Sequence, residues 1–235
     1  MSLTRSSPLP SVPRSVEPAG PDQCVRLRAG WGAYVRFNDA VGESSRSRMI
    51  YADGELTILV TSRRHDWYVE LLGQLFRAVA LTCGVPWEEA GGATFRRPDM
   101  KAGSEGDKVY YLGDNARRMR GPAHIDLTTQ PPPDVAIEVE VSHSADAALA
   151  EWGRIGTPEV WRFDAEAWAF RFCRRQPDGT YQEAERSAFL VVLTASDVLD
   201  QLRTAEELGP FDWTTRLNDW TRDVLRPRLA GQGGG

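Results

Sequence analysis

Three consecutive prolines at positions 131–133 run directly into Asp-Val-Ala-Ile-Glu-Val-Glu-Val-Ser at 134–142, and this junction constrains the fold more than any other segment. Proline fixes φ and donates no backbone N–H, so the triplet is a stiff, non-helical entry. From Ile137 onward apolar and acidic residues alternate strictly, which is the period of a β-strand. In a strand, Glu138 and Glu140 share one face, with Val139 and Val141 on the other, core-facing side. Paired like charges repel and oppose strand pairing unless they face water or share a cation. The pair therefore lines a charged cleft, or the strand belongs to an antiparallel sheet with one wet face.

The remaining pattern sets this strand among others. Residues 48–60 read as a hairpin, because Asp53-Gly54 accepts the positive φ values of a tight turn between β-prone runs. Ser62 is a helix cap, followed by Trp67, Leu71, Leu75 and by Leu72, Phe76, Val79 at helical spacing, with Gly84 and Pro86 as the stop. Strands are expected at 93–97 and 109–112, a short helix at 146–154, strands at 159–163 and 168–172, and two C-terminal helices. One of these carries Val198, Leu199 and Leu202, the other Trp213, Leu217, Trp220 and Val224. Trp31, Trp67, Trp161, Trp213 and Trp220 sit in apolar patterns and are assigned to the core. This order of elements predicts an α/β fold with a central mixed sheet flanked by helices.

Composition narrows the class. The chain has 235 residues, 41% of them hydrophobic and 26% charged, which suits one globular domain with appendages. The expected division is a Ser/Pro-rich disordered tail at 1–24, a single domain at 25–229 and a Gly-rich end at 230–235. No apolar run is long enough for a membrane span, and the N-terminal residues lack the apolar core of a secretory signal, so a cytoplasmic location is expected. Cys24, Cys83 and Cys173 are too widely spaced for a metal-binding pair and are odd in number, so they read as reduced thiols. A net charge of −5 excludes a generically basic, nucleic-acid-coating protein. Lys101 and Lys108 are the lysines, and the other 26 basic residues are arginine.

Asp107, after Glu105-Gly106 and before a short aromatic strand, offers a third carboxylate. Oxygen-only donor sets suit Mg²⁺ or Mn²⁺, although an aspartate beside glycine also makes ordinary turns. His124 and His143 have no ligand-like spacing and are assigned to the surface. Arg96-Arg97 and Arg117-Arg118 are solvated pairs or phosphate contacts.

Several segments, taken together and in order, carry a resemblance. They are Arg-Met-Ile-Tyr-Ala-Asp-Gly-Glu-Leu from Arg48, His65, the run 92–99, Gly-Asp-Lys-Val-Tyr-Tyr at 106–111, the run 126–142, and Gly-Thr-Pro-Glu-Val-Trp-Arg-Phe-Asp at 156–164. In these the chain resembles the bacterial Uma-type restriction endonuclease family of the PD-(D/E)XK nuclease superfamily, over about residues 25–225. The resemblance implies a restriction-endonuclease-like core and an endonuclease that hydrolyses DNA phosphodiester bonds with Mg²⁺ or Mn²⁺. By motif position it makes Asp107 and Glu138 metal-binding catalytic carboxylates, with the Val139 carbonyl as a further ligand. Glu55 and His65 match family positions near the site, or are a solvated hairpin residue and a capping or surface residue at the helix start; Asp134 shares the face of Glu138 in a regular strand, and lines the cleft or anchors the turn. A homodimer suits double-strand cleavage.

The departures from the family pattern are as informative. The lysine of (D/E)XK falls on Glu140, and the alternative family position, on the following helix, falls on Ala148. Loss of such an electrostatic donor costs about 10²–10³-fold in comparable sites. Glu140 compensates by assisting water or holding a second ion, or the site has decayed. Lys108, next to Asp107 on a strand, points to the opposite face and is no substitute. The alternative function is a catalytically degenerate nuclease-fold module that binds nucleic acid or a protein partner. Another phosphate substrate is a third possibility, because fold alone does not fix function.

Overall fold

The computed structural model describes residues 22–41, 47–91, 93–121, 125–141 and 145–232. Its elements are β1 (Gln23–Arg28), α1 (Trp31–Val41), β2 (Ser47–Ala52), β3 (Glu55–Val60), α2 (Arg63–Cys83), β4 (Trp87–Glu89), β5 (Phe95–Arg97), β6 (Ala102–Ser104), β7 (Lys108–Leu112), α3 (Gly113–Arg118), β8 (Val135–Glu140), α4 (Asp146–Ile155), β9 (Glu159–Asp164), β10 (Ala169–Arg175), β11 (Tyr181–Ala184), α5 (Ala195–Leu208) and α6 (Pro210–Trp220). A wider helical turn at Thr221–Leu225 leads into α7 (Arg226–Gln232). Positions 1–21 of the expected tail lie outside the described residues, and β1 begins within the last positions assigned to it.

The local signals produce the elements they predict. Asp53 and Gly54 take φ of 48° and 82°, closing β2 on β3 with a two-residue turn. The Ser62 hydroxyl accepts from the His65 backbone N–H at the start of α2, and Gly84 ends that helix at φ 68°.

The strands form two sheets. The smaller is antiparallel, in the order β1-β3-β2-β6-β5, and the larger is mixed, in the order β11-β10-β9-β8-β7-β4, with β8 and β9 parallel. The fold is thus α/β with helices flanking multi-stranded sheets, as expected, but the hairpin and the strands at 95–104 form a sheet of their own. The elements β1, α1, β4, β6, α3, β11 and α7 add to those expected.

Alternation along β8 sorts its neighbours into two layers. Val135, Ile137 and Val139 meet α2 and the C-terminal helices through Phe76, Tyr110, Trp161 and Trp213. Ala136, on the other face, joins Ala148, Trp152 and Ile155 of α4 and Ile50 and Leu59 of the smaller sheet. Tyr34, Met49, Tyr51 and Leu56 form a third cluster under α1. Of the five core tryptophans, Trp161 and Trp213 are fully buried, whereas Trp31, Trp67 and Trp220 pack at core edges. Glu138 and Glu140 share the face of Ala136, so they enter the layer between the larger sheet, α4 and the smaller sheet. They are buried there, at 7% and 5% exposure, and do not lie on a wet face.

Candidate active site

Pairing between β7 and β8 ends at Lys108 opposite Ile137, which leaves the Val139 N–H beyond the ladder. Asp107 fills the gap: its Oδ2 accepts from the Val139 N–H at 2.7 Å. The chain reaches this position through Gly106, where a Cβ would lie 2.7 Å from Val109 Cγ2 and 2.8 Å from Trp152 Cζ2. Only glycine passes so close to the floor of the site.

Two cations meet the Asp107 carboxylate. Arg48 Nη1 lies 2.8 Å from Oδ1, and His65 Nε2 lies 3.2 Å from Oδ2. Burial alone would make Asp107 a weaker acid, but the charges of Arg48 and then His65 outweigh it and hold the carboxyl ionised, below the usual range. His65 shows the reciprocal effect. Burial disfavours its charged form, yet the adjacent Asp107 carboxylate dominates and pushes the imidazole up to about 10.

Glu138 takes the opposite course. Trp152 Nε1 donates to its Oε1 at 2.6 Å. Burial, then the negative charge of Asp107, holds the Glu138 carboxyl well above the ordinary glutamate range. One carboxyl of the pair is stabilised as an anion and the other as an acid. Such a divergence is characteristic of functional sites.

The other expected residues separate from this pair. Glu140 forms a two-pronged ion pair with Arg162, through Nε to Oε1 and through Nη2 to Oε2 at 3.0 Å. Arg162 also meets Asp146 at 2.9 Å. Asp134 accepts from the Leu112 N–H at 2.7 Å and from Asn115 Nδ2 at 3.0 Å, anchoring the β7–α3 corner at the far end of the strands. Glu55 is exposed beside the hairpin turn. Ala148 presents a buried methyl group. Lys108 turns to the opposite face, 2.9 Å from Glu89 and 3.6 Å from Glu70. Ser142, His124 and His143 lie outside the described residues.

Sequence reasoning missed Arg48, Trp152 and Arg162 as partners of the three carboxylates. Arg48 lay within the segments that carry the resemblance, and its parity with Ile50 was the available signal. Both project toward the layer that holds Glu138.

Among the described residues, no group of three or more His, Cys, Asp or Glu side chains is gathered to hold a metal. The donors present still suit a hard cation. Mg²⁺ commonly takes one or two protein carboxylates and fills its shell with water and substrate phosphate. Asp107 and Glu138 are such a pair, and the Glu138 carboxyl is held above the usual glutamate range by burial first and by the neighbouring charge of Asp107 second.

Residues 31–207 match the Uma2 family, whose description is "Putative restriction endonuclease". Comparison with curated proteins found no match. Among the described residues no helix is long and apolar enough to cross a membrane.

Proposed function

From membership of the Uma2 family of the PD-(D/E)XK superfamily, to which this chain belongs, we propose that it is a divalent-metal-dependent endonuclease acting on DNA. Asp107 and Glu138 would hold Mg²⁺ or Mn²⁺, with the Val139 carbonyl as a further ligand. The observation that carries this reading is that the carboxyls of Asp107 and Glu138 are both buried just beyond the end of the β7–β8 ladder, where the charge of Asp107 opposes ionisation of Glu138.

When bound, a divalent ion supplies Lewis-acid polarisation of the phosphoryl group and makes water acidic enough to attack at neutral pH. The chain does the rest. The Val139 N–H and His65 fix the Asp107 carboxylate in one orientation. The Trp152 indole fixes Glu138 through Oε1. Burial and the charge of Asp107 disfavour the ionised form of Glu138, and a divalent ion held between the two carboxyls would favour it. Arg162 neutralises Glu140, which supports a structural role for that residue ahead of an assisting one. Cytoplasmic action and a homodimer belong to this reading, the latter because double-strand cleavage suits two-fold symmetry.

The test is cleavage of supercoiled and single-stranded DNA with Mg²⁺ and then Mn²⁺, comparing wild type with Asp107→Ala and Glu138→Ala. Cleavage by the wild type and its loss in both folded variants is the expected result. An inert wild type would overturn the reading for these substrates. The buried alanine at position 148 favours a second reading, a module that binds nucleic acid or protein without turnover. DNA binding by an inert wild type would select it.

A further inference from the structure

We propose that Arg48 is the phosphate-binding cation of this site, supplying from β2 the positive charge that neither position 140 nor position 148 provides. The proposal rests on the endonuclease reading above and assigns it a catalytic residue.

The usual candidates are engaged elsewhere. Position 140 carries a glutamate locked to Arg162, and position 148 a buried methyl group. Lys108 is held by Glu89 and Glu70 on the opposite face of β7. Arg154 pairs with Asp53 and lies 3.5 Å from Glu151, and Arg97 meets Asp99 at 2.9 Å. Among the described residues, the cations that touch Asp107 are Arg48 and His65.

Exposure separates these two. The His65 side chain is 2% exposed and that of Arg48 is 23% exposed. An incoming phosphodiester therefore meets Arg48, while His65 stays behind Asp107. Strand parity fixes the direction: Ile50, two residues along β2, packs into the layer with Trp152 and Ala148, and Arg48 projects on that same side. The register of β2 against β3, with Arg48 opposite Leu59, holds its backbone.

The chemistry suits the task. A guanidinium carries five N–H donors in a rigid fork, and the contact with Asp107 Oδ1 involves one terminal nitrogen. The other donors are available to a phosphate oxygen pair, the bidentate geometry arginine favours. Beside the carboxyls of Asp107 and Glu138, Arg48 is the partly exposed cation that can reach the scissile phosphate, with His65 buried behind Asp107. The guanidinium stays protonated throughout, so it stabilises charge on the phosphoryl oxygens and takes no proton from water.

The experiment compares wild type, Arg48→Gln, Arg48→Lys and Arg48→Gln/Ala148→Lys. Cleavage is measured with Mn²⁺. Binding of a fluorescein-labelled DNA duplex is measured by anisotropy in Ca²⁺ over a salt series. Arg48→Gln is expected to lower turnover by about 10²–10³-fold and to reduce the salt slope of DNA binding by about one. Arg48→Lys retains the charge and falls between wild type and Arg48→Gln. Adding Ala148→Lys to Arg48→Gln regains at least about tenfold of the lost turnover.

Turnover and salt slope unchanged in Arg48→Gln would overturn the proposal. So would an Arg48→Lys variant as inactive as Arg48→Gln with a lowered melting temperature, which would mark a structural residue. If wild type cleaves nothing, the endonuclease reading fails, and the binding arm still decides for Arg48. A reduced salt slope supports its phosphate contact, and an unchanged slope refutes it.

Discussion

Glu138 on β8 and Glu159 on the neighbouring β9 have closely similar surroundings in most respects. Both are buried, both accept from an indole N–H, at 2.6 Å from Trp152 and 2.7 Å from Trp161, and burial makes both weaker acids than an ordinary glutamate. They differ in what else surrounds the carboxylate. Glu159 also accepts from Ser187 Oγ at 2.7 Å and from the Ala188 N–H at 2.5 Å, so neutral donors satisfy both oxygens and tie the segment after β11 to the sheet. Glu138 has one such donor and the negative charge of Asp107 beside it. Burial and a raised carboxyl pKa therefore do not by themselves distinguish a carboxyl proposed to bind metal from a structural one. The distinction lies in whether neutral donors complete the shell or a cation is still required.

The largest expected effect comes from exchanging each acid for its amide. Glu138→Gln and Asp107→Asn should each lower DNA cleavage by at least about 10³-fold, with Glu138→Gln keeping or raising the melting temperature because a repelled carboxyl has been removed. Glu159→Gln should do the reverse. It places N–H groups where three donors already point, costing roughly 1–3 kcal/mol of stability while leaving turnover per folded molecule near wild type. Chemical denaturation beside cleavage kinetics checks both halves. Equal loss of turnover in Glu159→Gln and Glu138→Gln would break the distinction.

Glu140 is an intermediate case, a buried acid whose shell is completed by a cation of the chain itself. Arg162→Ala leaves that carboxylate without its two-pronged partner, and the expected cost is about 3 kcal/mol, at the lower end of the range for a broken buried pair because Arg162 is partly exposed. Arg162→Leu combined with Glu140→Leu should recover most of it, because apolar packing replaces both charges together. Urea midpoints of the single and double variants measure this. A double variant no better than Arg162→Ala would show that Glu140 contributes through something other than the pair.

What was legible in the sequence follows the same physics. Asp53-Gly54, the Ser62 cap and the alternation into Glu138 are local statements, and a hairpin, a helix and a strand result. In α1 the buried residues are Tyr34 and Asn38, which gives too little periodicity to mark a helix. All six residues of β1 are exposed, and β4, β6 and β11 have three or four residues each, so none carries a clear apolar pattern. The second sheet depends on β6 pairing back to β2 across about fifty positions, which no local signal encodes. At the site, Asp107 and Glu138 were visible through the resemblance. Arg48 was one of 26 arginines, and its reach to Asp107 exists only once the two sheets are packed.

Glu151 provides the finest test of the comparison, because it is fully buried on α4 and its nearest cation, Arg154 Nη1, is 3.5 Å away. Burial, only partly offset by Arg154, pushes its carboxyl up to about 7. The pH dependence follows from the proton balance. Below about pH 4.5 the folded and unfolded chains both hold the proton, and no difference arises. Between about 4.5 and 7 the unfolded chain releases it while the folded chain keeps it, so stability falls as pH rises. Above about 7 the folded chain ionises too and the loss levels off. Glu151→Gln should therefore gain on wild type by on the order of 2 kcal/mol across this window, at ~1.4 kcal/mol per unit with allowance for Arg154. Cleavage should be unchanged, because no second carboxylate of the site stands beside Glu151. Melting curves of the two proteins from pH 4 to pH 8, read as a difference, cancel the contribution of Glu138, which has the same sign in both. A flat difference would mean that Arg154 already completes the shell of Glu151 and keeps it ionised, placing it with Glu140 among the acids that the chain neutralises for itself.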